Sequence, residues 1–134
     1  MSLRHPKQRP PGEDRCSDTA IVVVLTSEAG EMEAKALALQ LLERRLVACV
    51  SLLPVRSLYH WQGRLEEAEE VKLLLKTAPA LLAALHAALL ELHSYETPEW
   101  IVLEGSSRGG YGEWLGEQLR RDGPQQRPEA PRGA

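Results

Sequence analysis

The segment His93-Ser94-Tyr95-Glu96-Thr97-Pro98-Glu99 places an imidazole, a phenol and two carboxylates within one short stretch of chain. Imidazole and carboxylate together suit zinc or copper, and a thiolate from Cys49, brought near by folding, would favour reduced copper. The spacing matches no standard ligand signature such as H-E-x-x-H. A histidine satisfying the last carbonyls of a helix, followed by a proline-set turn, accounts for the same residues, and the bare pattern favours it. A second concentration of chemistry is Tyr59-His60-Trp61, just before Gln62-Gly63. With three Trp, three Tyr and no Phe, these rings keep polar handles that serve at interfaces. Cross-strand packing is the plainer use of any one of them.

Glu66, Glu67, Glu69 and Glu70 could offer carboxylates to calcium or magnesium. Alternation along a strand sends them to opposite faces, however, and no Gly-containing chelating loop surrounds them. The expectation is a solvated edge whose like charges block stray strand pairing. Residues 105–110, Gly-Ser-Ser-Arg-Gly-Gly, could nest an anion with help from Arg108. They lack the Gly-Lys-Ser/Thr ending of a phosphate loop and read instead as a flexible linker. There is no G-x-S-x-G elbow, and Cys49 has no base near it in sequence, so a nucleophilic enzyme is not indicated. His86 reads as a partly buried helical histidine.

The elements that must position these groups follow from periodicity. Residues 20–26 form a β-branched, wholly apolar run, a strand expected to be covered on both faces. Met32, Ala36, Leu39, Leu42 and Leu46 recur at helical steps and predict a helix from Glu31, with Arg44 and Arg45 at its C-terminal dipole. Residues 47–61 read as strand through Pro54, Gln62-Gly63 as a tight turn, and 64–76 as the returning arm with Val71, Leu73 and Leu75 on one face. Thr77 suits an N-cap with Pro79 in the first turn, and Leu82, Leu85, Leu89 and Leu92 mark a second helix ending near His93. A strand over 99–104 and a short helix holding Trp114 and Leu115 complete the order. This is α+β, the ferredoxin-like βαββαβ pattern with a long β-hairpin and a C-terminal helix.

Arms of 13 to 15 residues would extend roughly 45 Å, beyond a compact domain of this size. Either bulges near Pro54 and Ala68 bend the hairpin, or it pairs with another subunit. The sheet's second face is left open, and an apolar open face beside a protruding hairpin predicts a symmetric oligomer.

The chain has 134 residues, 43% of them hydrophobic, and a net charge of -3, the composition of one globular domain. That charge supplies no cationic excess for phosphates, so nucleic acid is not expected as a partner, nor is a membrane surface. Two cysteines, Cys16 and Cys49, are too few for a disulfide framework, and a cytoplasmic setting is the default. Six of the nine prolines lie before Thr19 or after Asp122. Residues 1–19 and 122–134 are therefore expected as disordered tails around a domain at 20–121.

Several blocks carry a resemblance. They are Arg45-Leu46-Val47-Ala48-Cys49-Val50-Ser51-Leu52-Leu53-Pro54, then Ser57-Leu58-Tyr59-His60-Trp61-Gln62-Gly63-Arg64-Leu65-Glu66, then Glu70-Val71, Lys76-Thr77, and the whole of His93 to Glu99. In one register from about residue 21 to 119, the chain resembles the CutA family of divalent-cation tolerance proteins. The resemblance implies a non-enzymatic protein assembled as a tight homotrimer, with hairpins reaching neighbouring subunits. It also implies an association with copper or other divalent cations. The bacterial copper-ligand positions correspond to Leu25 and to the Leu92-His93 pair, so His93 and Glu99 are the matching metal candidates, with Cys49 as a further one. At the level of fold the chain also resembles trimeric PII-type signalling proteins. That implies an alternative, a small-molecule effector held in a cleft between subunits by Tyr59, Trp61, Lys76 and Tyr95, with Trp114 as a further interface residue.

Overall fold

A computed structural model describes residues 18–121. The order is β1 (Asp18–Glu28), α1 (Glu31–Glu43), β2 (Cys49–Trp61), β3 (Arg64–Thr77), α2 (Leu82–Leu92), β4 (Ile101–Arg108) and α3 (Gly110–Gln118), with a 3-10 turn at Pro79–Leu81 leading into α2. The strands form one antiparallel sheet in the order β2-β3-β1-β4. This is the ferredoxin-like arrangement that the order of elements predicts.

Alternation along each strand divides the sheet into two faces. Val22, Val24, Leu73 and Leu75 point to one side, where Leu37, Leu41, Leu85 and Leu89 of α1 and α2 complete a buried core. Ile21, Val23 and Leu25 point to the other side and are only half-buried, so β1 is not covered on both faces as its apolar run predicts. On that open face stand Leu53, Ile101 and Leu103, respectively 46%, 44% and 50% exposed. α3 covers one end of it. There Gly112 approaches Thr19 so closely that an added Cβ would lie 2.7 Å from the threonine Cβ.

Helix α1 occupies the expected span but turns a different face inward. Ala34, Leu37, Ala38 and Leu41 are buried, while Met32 is 83% and Leu39 54% exposed. Both sets recur at helical steps, so periodicity alone cannot choose between them. The observed set places two alanines against the sheet, which lets the helix axis approach closely. Arg44 and Arg45 serve other elements instead of α1: Arg44 pairs with Glu91 of α2 at 3.2 Å, and Arg45 donates to the Gln118 carbonyl of α3 at 3.1 Å.

Two boundaries also differ. Thr77 does not cap α2; it ends β3, and its hydroxyl donates to the Leu46 carbonyl at 2.8 Å, while Ala78 precedes the 3-10 turn. The expected linker at 105–110 is largely strand, because β1 begins at Asp18 and offers ladder partners as far as Arg108. Asp18 and Thr19, expected in the N-terminal tail, thus belong to the sheet, and the rest of the expected tails lies outside the described residues.

The hairpin register runs unbroken from Cys49↔Lys76 to Trp61↔Arg64, with no bulge at Pro54 or Ala68. Gln62 (φ 51°) and Gly63 (φ 78°) both occupy the left-handed region, as a two-residue I′ turn requires. β1 pairs with β3 only from Val71 to Thr77. Residues 64–70 therefore project past the sheet, paired with β2 alone, for roughly 23 Å at 3.3 Å per residue.

Candidate functional site

Where β1 ends, β3 leaves the sheet to enter the hairpin and the α2–β4 loop crosses over both. Three elements converge there, and their polar side chains form two joined clusters.

The first lies on the helix side. Thr26 and Glu28 follow Val22 and Val24 in alternation and are buried among apolar neighbours. A buried carboxylate is costly unless it is well hydrogen-bonded. Glu28 meets that requirement through Ser94, whose amide donates to Oε2 at 3.1 Å and whose hydroxyl donates to Oε1. His93 turns its ring inward beside them, with none of its side chain exposed. The Tyr95 amide donates to His93 Nδ1 at 3.0 Å, so that nitrogen carries no proton. The ring proton therefore sits on Nε2, 3.3 Å from Thr26 Oγ1. Glu28 Oε2 lies 3.5 Å from the same Nδ1, a close contact and not a hydrogen bond from the ring. His93 closes α2 through its main chain, its amide donating to the Leu89 carbonyl, while its side chain does not satisfy the helix carbonyls.

The second cluster lies on the open side. Lys72 Nζ approaches Glu99 Oε1 at 2.8 Å, and the Ser27 hydroxyl donates to the same oxygen at 3.1 Å. Tyr95 bridges to the hairpin, its hydroxyl donating to Glu70 Oε2 at 2.8 Å. Burial pushes the Tyr95 phenol well above its ordinary pKa, and the Glu70 carboxylate adds to the rise.

Cys49 belongs to neither cluster. It faces Lys76 across the ladder, with Sγ 4.0 Å from Nζ. Lys76 stands four residues along β3 from Lys72, which puts the thiol about 13 Å from the Glu99 cluster. His93, Glu99 and Cys49 are thus not one ligand set within a subunit. Among the described residues, no three His, Cys, Asp or Glu side chains converge to hold a cation. The residues present do not fit a divalent metal inside one subunit: both ring nitrogens of His93 are engaged, and an ammonium already neutralises Glu99.

The expected cleft residues are also dispersed. Tyr59 and Trp61 are exposed near the hairpin tip, and Tyr95 lies at the two clusters. Lys76 stands at the α3 end of the sheet with Tyr111, whose pKa burial raises, Cys49 adding to the rise and Lys76 opposing it. Trp114 stacks on Tyr111 with ring centroids 5.4 Å apart. His86 rests against Trp100 at 4.4 Å, as a half-buried packing histidine. The acidic run is partly paired rather than merely solvated, since Arg56 bridges Glu67 and Glu69 at 3.3 and 3.7 Å.

Sequence reasoning missed Thr26, Glu28 and Lys72. A carboxylate directly after an apolar strand was the available signal for Glu28. Lys72 carried none, because a lysine alternating with Val71 and Leu73 reads as an ordinary solvent-facing strand position.

These features define a class: a ferredoxin-like subunit with a projecting hairpin, an open apolar sheet face and a polar knot at one end of the sheet. The CutA1 divalent ion tolerance protein family matches residues 22–118. The Divalent-cation tolerance protein CutA of Pectobacterium atrosepticum is 45% identical over 101 residues, covering 74% of this chain and 92% of that one. The structure of CutA from Synechococcus elongatus superposes with a TM-score of 0.74 at 35% identity, over 78% of this chain and 96% of that one. The periplasmic divalent cation tolerance protein CutA of Archaeoglobus fulgidus does so with a TM-score of 0.70 at 28% identity, over 75% and 99%. The chain belongs to the CutA1 divalent ion tolerance family.

Proposed function

We propose that this protein is a non-enzymatic, homotrimeric divalent-cation tolerance protein whose working form is built by exchange of hairpins between copies. The observation that carries this reading is the hairpin itself. Thirteen pairs in unbroken register run its full length, and among the described residues, 64–70 have no strand partner beyond β2. Exposed strand edges of this length invite pairing with another chain. The half-exposed Leu53, Ile101 and Leu103 on the open sheet face supply an apolar surface for contact with another copy. The number three comes from the family resemblance, as does the association with copper or another divalent cation. A cytoplasmic setting accords with the scarcity of cysteine, and among the described residues no helix is long and apolar enough to cross a membrane.

The alternative puts an effector in a cleft between subunits lined by Tyr59, Trp61, Lys76 and Tyr95; a single subunit offers instead an open cleft of about 490 Å³ between the start of α1 and the hairpin root, lined by Gly30, Glu31, Val55, Arg56, Glu70 and Val71 among others. Its lining holds one cation, Arg56, which Glu67 and Glu69 already neutralise. An anionic ligand finds little to hold it there within one subunit, so the tolerance-protein reading is preferred. Sedimentation of the full chain across a range of concentrations tests it. The expected species has three times the 14.9 kDa of one chain at micromolar protein; a species of single-chain mass removes the proposal.

A further inference from the structure

We infer that His93 is not a cation ligand in this chain but, with Glu28, the internal clasp that fastens the α2–β4 turn to the end of β1. A metal-binding histidine presents one ring nitrogen as a bare lone pair and donates from the other to an outer partner. The lone pair of His93 is on Nδ1, and the amide of Tyr95, two residues along the same turn, occupies it at 3.0 Å. The protonated Nε2 faces Thr26 Oγ1 at 3.3 Å, inside the core. Coordination through either nitrogen would break one of these contacts and reopen a ring that has no exposed surface.

The matching strand position does not rescue a site. Successive residues of a strand face opposite ways. Thr26 points to His93, so Leu25, paired with Leu74 and Ile101, points to the open face. A ligand at position 25 and a ligand at position 93 lie on opposite sides of the sheet of one subunit. The clasp has its own complete set of bonds: Glu28 accepts from the amide and hydroxyl of Ser94, and the ring of His93 lies against Tyr95 with centroids 5.0 Å apart. Through that stack the clasp sets the approach of Tyr95 to Glu70 on the hairpin.

The test is a cupric ion titration of the full chain, read by calorimetry and by electron paramagnetic resonance, with thermal unfolding measured in parallel for His93→Gln and Thr26→Val. The expected result is that both variants lose several degrees of thermal midpoint while the copper isotherm and the nitrogen couplings of the bound ion match those of the unsubstituted protein. A wild-type chain that takes up no copper also agrees. Weakening of copper binding by about tenfold or more in His93→Gln overturns the inference. Where His93→Gln does not fold, Thr26→Val decides: freeing Nε2 tightens or creates copper binding if the ring is a ligand and leaves it unchanged if the ring is a clasp. A monomeric mass in sedimentation would remove the trimer proposal and leave this one standing.

Discussion

Leu103→Asp places a carboxylate on the open sheet face, on its edge strand β4. Leu103 sits on β4 opposite Val23, half exposed in the subunit and outside the core that α1 and α2 cover. Burying a leucine fully is worth about 1.5–3 kcal/mol, so the half left exposed represents about 1 kcal/mol per copy that assembly would gain. Forcing an unpaired carboxylate into the same contact adds a cost of about 2–4 kcal/mol per copy. The total of about 3–5 kcal/mol weakens each contact by between a hundredfold and a few thousandfold, at about 1.4 kcal/mol per tenfold. Sedimentation velocity at low micromolar protein should show the variant as single chains where the wild type is assembled. Far-ultraviolet circular dichroism should stay close to wild type, because the helix-covered core does not contain this residue. An unchanged mass together with an unchanged unfolding midpoint would refute the claim that this face is covered by sister copies.

Met32→Lys serves as the contrast: Met32 is 83% exposed on the outer side of α1, and its replacement should alter neither mass nor midpoint by a measurable amount. Gly112→Ala should lower stability by about 1–3 kcal/mol, because the new Cβ meets Thr19 at 2.7 Å and α3 must lift from β1; calorimetry reads the shift, and an unchanged midpoint would mean that α3 docks elsewhere. Ultraviolet titration should find Tyr95 still protonated as pH passes the ordinary tyrosine value of 10. Its raised folded-state pKa contributes stability that is complete below pH 10 and is lost as pH climbs above it. Tyr95→Phe should flatten that alkaline loss, and an equally steep loss in the variant would contradict the assignment.

The order of elements was legible because each signal was local. The apolar run of β1, the Gln62-Gly63 turn and the leucine spacing of α2 all sit within a few residues of the structure they specify. What was not legible depends on partners far along the chain. Two faces of α1 carry apolar residues at helical steps, and only contact with the sheet selects Ala34, Leu37, Ala38 and Leu41 over Met32 and Leu39. Residues 105–108 look like a flexible linker until β1 extends to Asp18 and pairs with them. The candidate site shows the same division. His93 and Glu99 could be picked out by residue type, but the inward turn of the ring follows from Thr26 and Glu28, 67 and 65 positions earlier in the chain. Cys49 was placed with them on chemistry alone, and the ladder opposite Lys76 carries it to the far end of the sheet.

Amide hydrogen exchange along the hairpin arms probes the link between fold and assembly at the contact itself. In a lone subunit, the outward amides of β2 and of residues 64–70 face water and exchange within seconds to minutes. We predict that at micromolar protein these amides are protected as firmly as those of β1 and β3 in the sheet centre, and that dilution below the association range releases them together. Rapid exchange of those amides at every concentration, with the sheet centre still protected, would show that the hairpin rests on no sister chain.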